Sequence, residues 1–256
     1  MGLDLRARLG LNPPLTVSAV VLDCDGLLVD SEAVWRRAAA AMFAERGVGY
    51  LPEHQARLTG LTLAHLGNEL AALLQTGESA AALAAELVLR VDADGDDAIA
   101  PMPGAVALVR TLAARVPLGL ASNGGRRHVE RVLASLAVRS CFSTVVTADD
   151  VPAPKPDPAP YRLALALLGA HPSEAVAFED SRAGAASALQ AGAFVVAVPS
   201  TRGARVPAHV TIAALDHARI RRWSEAVRPI ARTRSPFSPG PQPFIHPSFG
   251  RRSMTR

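Results

Sequence analysis

Two aspartates, Asp23 and Asp25, stand two positions apart where the apolar run 17–22 gives way to Gly26. Carboxylates so placed suit joint work on one reacting group, one attacking as a nucleophile while the other moves a proton. Asp and Gly after a strand also build ordinary turns, so the pair alone leaves both readings open. Three later segments carry polar groups that suit the same chemistry. Ser122-Asn123-Gly124-Gly125 lies between an apolar run and a helical pattern, which puts a hydroxyl and free backbone N–H groups at a helix start. Anions bind at such a place, and Ser and Asn also serve there as plain caps. Lys155, between Pro154 and Pro156, is the one lysine among 27 basic residues. Its compact ammonium suits a phosphoryl oxygen or a neighbouring carboxylate. Glu179-Asp180-Ser181 closes another apolar run. Acids at a helix start are ordinarily favourable to the helix, but beside Asp23 they would complete an all-oxygen site for a hard cation such as Mg²⁺.

Elements that could position these groups are visible in the periodicity. Apolar runs at 17–22, 118–121, 144–146, 175–178 and 194–198 alternate with helical patterns at 104–114, 126–136, 158–168 and 181–191. That alternation predicts an α/β fold, a Rossmann-like, doubly wound parallel sheet whose strand ends carry the polar segments. Residues 32–100 break the rhythm with helical patterns at 33–46, 62–74 and 79–90 and no strand between them. They predict an inserted α-helical cap that leaves after the Asp23/Asp25 loop and returns before Pro101, and so stands over the pocket as a lid. The predicted division is a catalytic core of 16–31 and 101–216, a cap of 32–100 and a tail of 217–256. Within the cap, Trp35, Thr59, Leu61, Leu63 and His65 are the candidates for reading the organic part of a substrate.

With 256 residues, 49% of them hydrophobic, the chain can bury a substantial core. Its net charge of +4 is unevenly spread. Residues 217–256 hold nine arginines against one acid, Glu225, a charge of +8 that leaves residues 1–216 at −4. Crowded with Pro, Ser and Arg, that tail reads as disordered, and no aromatic-basic platform in it supports nucleic-acid binding. Cys24 and Cys141 give no disulfide framework or zinc spacing, which fits a reducing cytoplasm. No apolar stretch reads as a signal peptide or membrane span. The acidic run 92–97 lacks the glycine and the closing glutamate of a calcium loop. His54, His65, His128, His171, His209, His217 and His246 show no ligand spacing, and Cys24 reads as a packed strand-end residue.

In order and spacing, the stretch from Asp23 to Glu32, Ser122-Asn123, Lys155-Pro156-Asp157-Pro158 and Glu179-Asp180-Ser181 resemble the four motifs of the haloacid dehalogenase superfamily, over roughly residues 16–216. The branch most similar is the phosphatase and β-phosphoglucomutase-like group with a helical cap. The resemblance implies a phosphatase acting on a small phosphomonoester, a sugar phosphate, through an aspartyl phosphate. It implies that Asp23 is the nucleophile and Asp25 the acid and base, that Ser122, Asn123 and Lys155 bind the phosphoryl group, and that Mg²⁺ is held by Asp23, Asp180 and the main-chain carbonyl of Asp25, with Glu179 as a further or indirect ligand. A phosphosugar mutase is the alternative, but the histidine and cap arginine of that branch are replaced by Trp35 and Leu63. Dehalogenation needs neither Asp25 nor a metal. A phospho-acceptor receiver domain places its acidic pair before its acceptor, the reverse of the order here. Oligomeric state is left open.

Overall fold

The computed structural model describes residues 13–58, 61, 63–93, 100–200 and 204–230. The apolar run at 17–22 divides into β1 (Thr16–Val17) and β2 (Ala19–Leu22). After β3 (Val29–Asp30) come four helices, α1 (Glu32–Glu45), α2 (Pro52–Leu58), α3 (Leu63–Leu74) and α4 (Ala80–Ala93). The chain then returns through β4 (Ala100–Pro101), which pairs antiparallel with β3, Val29 opposite Pro101. These helices bury a cluster of their own: Val34, Met42 and Phe43 of α1 meet Leu66 and Leu70 of α3 and Leu83 and Leu87 of α4. The four-residue spacing within α3 and α4 places each leucine pair on one face. Arg46 ties this bundle together by pairing with Glu78 at 2.6 Å and Glu86 at 2.7 Å, while Arg90 joins Glu45 to Glu86. Helix α2 carries no apolar stripe and buries none of its residues, which is why the periodicity did not show it.

Past β4, the chain alternates α5 (Ala105–Ala113), β5 (Leu118–Ala121), α6 (Arg126–Ser135), β6 (Thr144–Val146), α7 (Ala159–Leu167), β7 (Ala175–Glu179), α8 (Arg182–Ala191), β8 (Phe194–Ala197) and β9 (Val210–Thr211). Six strands form one parallel sheet in the order β6-β5-β2-β7-β8-β9. Every residue of β2 is buried, as expected of a parallel strand covered on both faces. Val20 and Leu22 join Leu108, Leu112, Val132 and Leu133 on one side, while Val21 joins Tyr161, Leu165, Ala185 and Ala188 on the other. The chain enters at β2, runs outward through β5 and β6, and crosses back to β7, β8 and β9. The order therefore reverses beside β2, and such a reversal opens a crevice at the carboxyl ends of the strands.

One sequence expectation is corrected. Residues 217–230, read as the start of a disordered tail, fold as α9 (Ala218–Ala226) and β10 (Arg228–Pro229), and β10 pairs in parallel with β1. Ile220, Trp223 and Val227 are buried while Arg221, Arg222 and Arg228 stay exposed, so the basic composition concealed an amphipathic helix. The Trp223 indole donates to the Pro14 carbonyl at 2.9 Å, and its ring lies 5.6 Å from that of Phe178 on β7. Residues 231–256 of the predicted tail lie outside the described residues. Trp223→Ala is expected to cost about 3–5 kcal/mol in equilibrium urea unfolding; a loss below about 1 kcal/mol would make α9 an appendage rather than part of the core.

Candidate active site

Asp23 follows β2 directly and is still fixed by the sheet, its N–H donating to the Phe178 carbonyl at 3.1 Å. The backbone then turns sharply. The Cys24 carbonyl accepts from Leu28 N–H at 2.8 Å, and Gly26 sits at φ +79°. A Cβ on Gly26 would fall 2.1 Å from Asp180 Oδ2, so close approach and backbone angle both demand glycine. Cys24 packs into the core, and Asp25 is left partly exposed at the carboxyl edge.

Lys155 reaches this edge from the loop after β6 and is almost wholly buried. Its ammonium donates to Asp23 Oδ1 at 2.5 Å, to the Ala121 carbonyl at 2.6 Å and to Glu179 Oε1 at 2.6 Å. All three donors are used, as a buried ammonium requires. The loop bearing Lys155 is clamped by Asn123, whose Oδ1 accepts from Lys155 N–H at 2.8 Å and whose Nδ2 donates to the Lys155 carbonyl at 3.1 Å. Both ends of the Asn123 side-chain amide thus engage the backbone of Lys155. Ser122, buried at the end of β5, accepts from Gly124 N–H at 2.9 Å, so its hydroxyl is fixed at the start of the turn that leads into α6.

Glu179 is fully buried, and Tyr161 donates its hydroxyl to Oε1 at 2.7 Å. A Cβ on Gly184 would fall 2.1 Å from this carboxylate, so a small residue in the first turn of α8 makes room for it. Asp180 Oδ2 accepts from Ser200 Oγ at 2.6 Å.

This arrangement agrees with what similarity shows. Residues 17–192 match the model of the haloacid dehalogenase-like hydrolases. The chain belongs to that family. It is 32% identical over 203 residues to a validoxylamine A 7'-phosphate phosphatase of Streptomyces hygroscopicus subsp. limoneus, covering 78% of this chain and 94% of the relative. A fructose-1-phosphate phosphatase of Escherichia coli is 29% identical over 68% of this chain and 93% of its own. Among solved structures, CbbY from Rhodobacter sphaeroides in complex with phosphate superposes with a TM-score of 0.68 at 27% identity, over 79% of this chain and 96% of that one.

In this haloacid dehalogenase-like hydrolase, one oxygen from each of Asp23, Glu179 and Asp180 lies within 4.8 Å of the others. Ligands about 2.1 Å from one small cation stand up to about 4.2 Å apart, so a modest adjustment brings the three around an ion. Charge points the same way. Three buried carboxylates face one ammonium; with all three ionised the excess is two negative charges, which a divalent cation would cancel, and carboxylate oxygens are the donors a hard cation takes. Burial first and then the charge of Glu179 push Asp23 well above the usual carboxylate range, against the pull of Lys155. The same two causes raise Asp180 to about 7. Burial disfavours the charge on Lys155, but Asp23 and Glu179 outweigh it and hold the ammonium above its ordinary range. Asp25 goes the other way. Burial would raise it, yet hydrogen bonds from His128 and Ser31, with the charges of His128 and Lys155, hold it below the usual range.

The structure thus brings Asp23, Asp25, Ser122, Lys155, Glu179 and Asp180 to one edge of the sheet. Among the cap candidates, Trp35 is half-buried against the helical bundle's own cluster, and Leu61 and His65 are exposed. Thr59 and the side chain of Leu63 lie outside the described residues. Sequence reasoning missed His128, Tyr161, Ser200 and Ser31. His128 shows no metal-ligand spacing, although it falls three residues into the helix that follows Ser122-Asn123-Gly124-Gly125, within its first turn.

A carboxyl raised from 3.8 to about 7 binds a proton in the folded state that the unfolded chain has released. Cation-free stability from this group is therefore present below pH 3.8 and lost as pH rises towards 7, where a bound cation would replace the proton. Adding Mg²⁺ to EDTA-treated protein is expected to raise Tm more at pH 7.5 than at pH 5, and Asp180→Asn to remove most of the gain. A Tm indifferent to Mg²⁺ at both values would rule out the metal site.

Proposed function

We propose that this hydrolase is a Mg²⁺-dependent phosphatase that hydrolyses a small phosphomonoester, a sugar phosphate, by way of a phosphoryl group held on Asp23. The single observation that carries the reading is the buried Lys155 ammonium bonded to both Asp23 and Glu179 beside Asp180, a mixture of charges suited to drawing a phosphate onto a carboxylate. The activities named for the two similar phosphatases support the reaction class and the choice of a sugar phosphate.

Asp23 attacks phosphorus, and a carboxylate O–P bond forms as the ester P–O bond breaks. Asp25 gives its proton to the departing alkoxide oxygen. The ionised Asp25 then takes a proton from water, whose oxygen attacks phosphorus. The bond to Asp23 breaks, inorganic phosphate is released and the Asp23 carboxylate is restored. Ser122 and Lys155 hold the phosphoryl oxygens, and the ammonium offsets repulsion between the nucleophile and an anionic substrate. Asp23, Asp180 and the main-chain carbonyl of Asp25 would hold Mg²⁺, with Glu179 reaching it directly or through water. Bound there, the cation supplies further positive charge at the transferring group. Asp25 is ionised in the empty pocket, but the negative charge of an arriving phosphate raises it towards protonation.

The insert at 32–100 acts as the cap. It leaves the core at β3, directly after the Asp25 turn, and returns through β4, the strand paired with it. A mutase would need a titratable group where Trp35 stands, and Trp35 packs into the bundle instead. The free thiols of Cys24 and Cys141 suit a cytoplasmic enzyme, and no helix among the described residues is long and apolar enough to cross a membrane.

Purified protein assayed on a panel of sugar phosphates is expected to release inorganic phosphate with Mg²⁺ and not with EDTA. Asp23→Asn should lower kcat by about 10⁴-fold or more, as removal of a nucleophile does elsewhere. Phosphate release that survives this substitution would refute the mechanism; isomerised sugar phosphate would indicate a mutase, and stable phosphorylation without turnover a phospho-acceptor.

A further inference from the structure

We infer that His128 is a positioning residue that sets the direction of the Asp25 carboxyl, and that its loss impairs protonation of the leaving group more than any other part of the reaction. The inference rests on the phosphatase reading above and deepens it. His128 and Asp25 are 103 residues apart in sequence, and the fold brings His128 Nε2 to 2.9 Å from Asp25 Oδ1. Asp25 needs such a partner. It sits on the turn after β2, beyond the ladder hydrogen bonds that fix Asp23, and an aspartate χ2 is broad unless a neighbour defines it. Ser31, at the entry to the helical insert, also favours the ionised form of the same carboxyl. His128 belongs instead to the core, in the first turn of α6, the helix that follows the Ser122 loop. The acid is therefore held from the element that follows the proposed phosphate-binding hydroxyl.

The packing around Gly124 brings the three groups together. A Cβ built on Gly124 would meet His128 Cδ2 at 3.2 Å, Ser122 Oγ at 3.2 Å and Asp25 Oδ2 at 3.4 Å. Glycine there lets the imidazole, the hydroxyl and the acid close around one point. Oδ1 is turned to His128, which leaves Oδ2, the oxygen facing Gly124, as the one not engaged by the imidazole. With the imidazole removed, the carboxyl is free to rotate, and a displacement of about 1 Å in a reacting group can cost about 10²-fold in rate.

The test compares two esters on the full-length enzyme with Mg²⁺. p-Nitrophenolate leaves without needing a proton, whereas the alkoxide of glycerol 2-phosphate must be protonated. The parameter kcat/KM reports the steps up to transfer of phosphate to Asp23. His128→Ala is expected to lower kcat/KM for both esters, with the loss on glycerol 2-phosphate larger by about 10-fold or more, within the range that general-acid catalysis contributes. His128→Gln keeps an N–H of similar reach and should recover the glycerol 2-phosphate activity to within about 5-fold of wild type. Asp25→Asn should show the same selective loss, more strongly. Equal losses on the two esters, or no recovery with glutamine in a variant whose thermal melt matches wild type, would overturn the positioning role while leaving the phosphatase intact. A wild-type enzyme that hydrolyses neither ester nor any member of the sugar-phosphate panel would remove the phosphatase reading and this inference with it.

Discussion

One buried ammonium holds the three central strands together at the edge where the chemistry lies. Lys155 bonds to Asp23 just past β2, to the carbonyl of Ala121 that ends β5, and to Glu179 that ends β7. These strands are neighbours, β5-β2-β7, so the lysine braces the sheet across its middle. An ammonium taken out of water costs several kcal/mol unless its donors are matched, and here three donors meet three acceptors. The geometry is specific to lysine. A planar guanidinium presents its donors in one plane, whereas these acceptors converge on a single point from different strand ends. That explains why a chain with 26 other basic residues, all arginine, places its one lysine here.

The sheet order makes such convergence possible. Had the chain continued outward past β6, the groups following β7 would lie far from those following β2. Because it crosses back, β7 lies directly against β2, with Leu22 opposite Phe178, and Glu179 and Asp180 arrive next to Asp23. Two glycines complete the approach. Gly26 lets the turn after β2 come against Asp180, and Gly184 lets α8 begin against Glu179. The carboxylates are held close by backbone shape, and their repulsion is offset by Lys155 and, in the proposed enzyme, by a cation.

Much of this was legible in the residues because the relevant signals are local. An apolar run followed by a polar residue marks a strand end, as at Asp23, Ser122, Thr147 and Glu179, and such ends in an alternating chain must fall on one edge of a parallel sheet. What the sequence concealed depends on partners distant along the chain. The Asn123 amide has the same composition whether it faces an anion or a backbone, and only the fold places Lys155 where both its ends are used. His128 carries no spacing to Asp25 that a sequence can show. In α9 the signal was present but outweighed: Ile220, Trp223 and Val227 lie at helical intervals, yet arginines and the proline-rich stretch beyond dominate the composition. Basic side chains on the exposed face of a helix say little about whether its other face is buried.

Asp23 and Asp25 are two residues apart and share an edge of the sheet, yet their surroundings push them in opposite directions. Without a cation or substrate, those directions are the reverse of what the proposed reaction needs: the nucleophile is held towards its protonated form and the acid towards its ionised one. Both are corrected by the partners the pocket is built for. A divalent charge among Asp23, Glu179 and Asp180 favours the ionised nucleophile, and the negative charge of a phosphate near Asp25 favours the protonated acid. On the proposed mechanism, cation and substrate would together bring the two aspartates to the protonation states that the reaction needs.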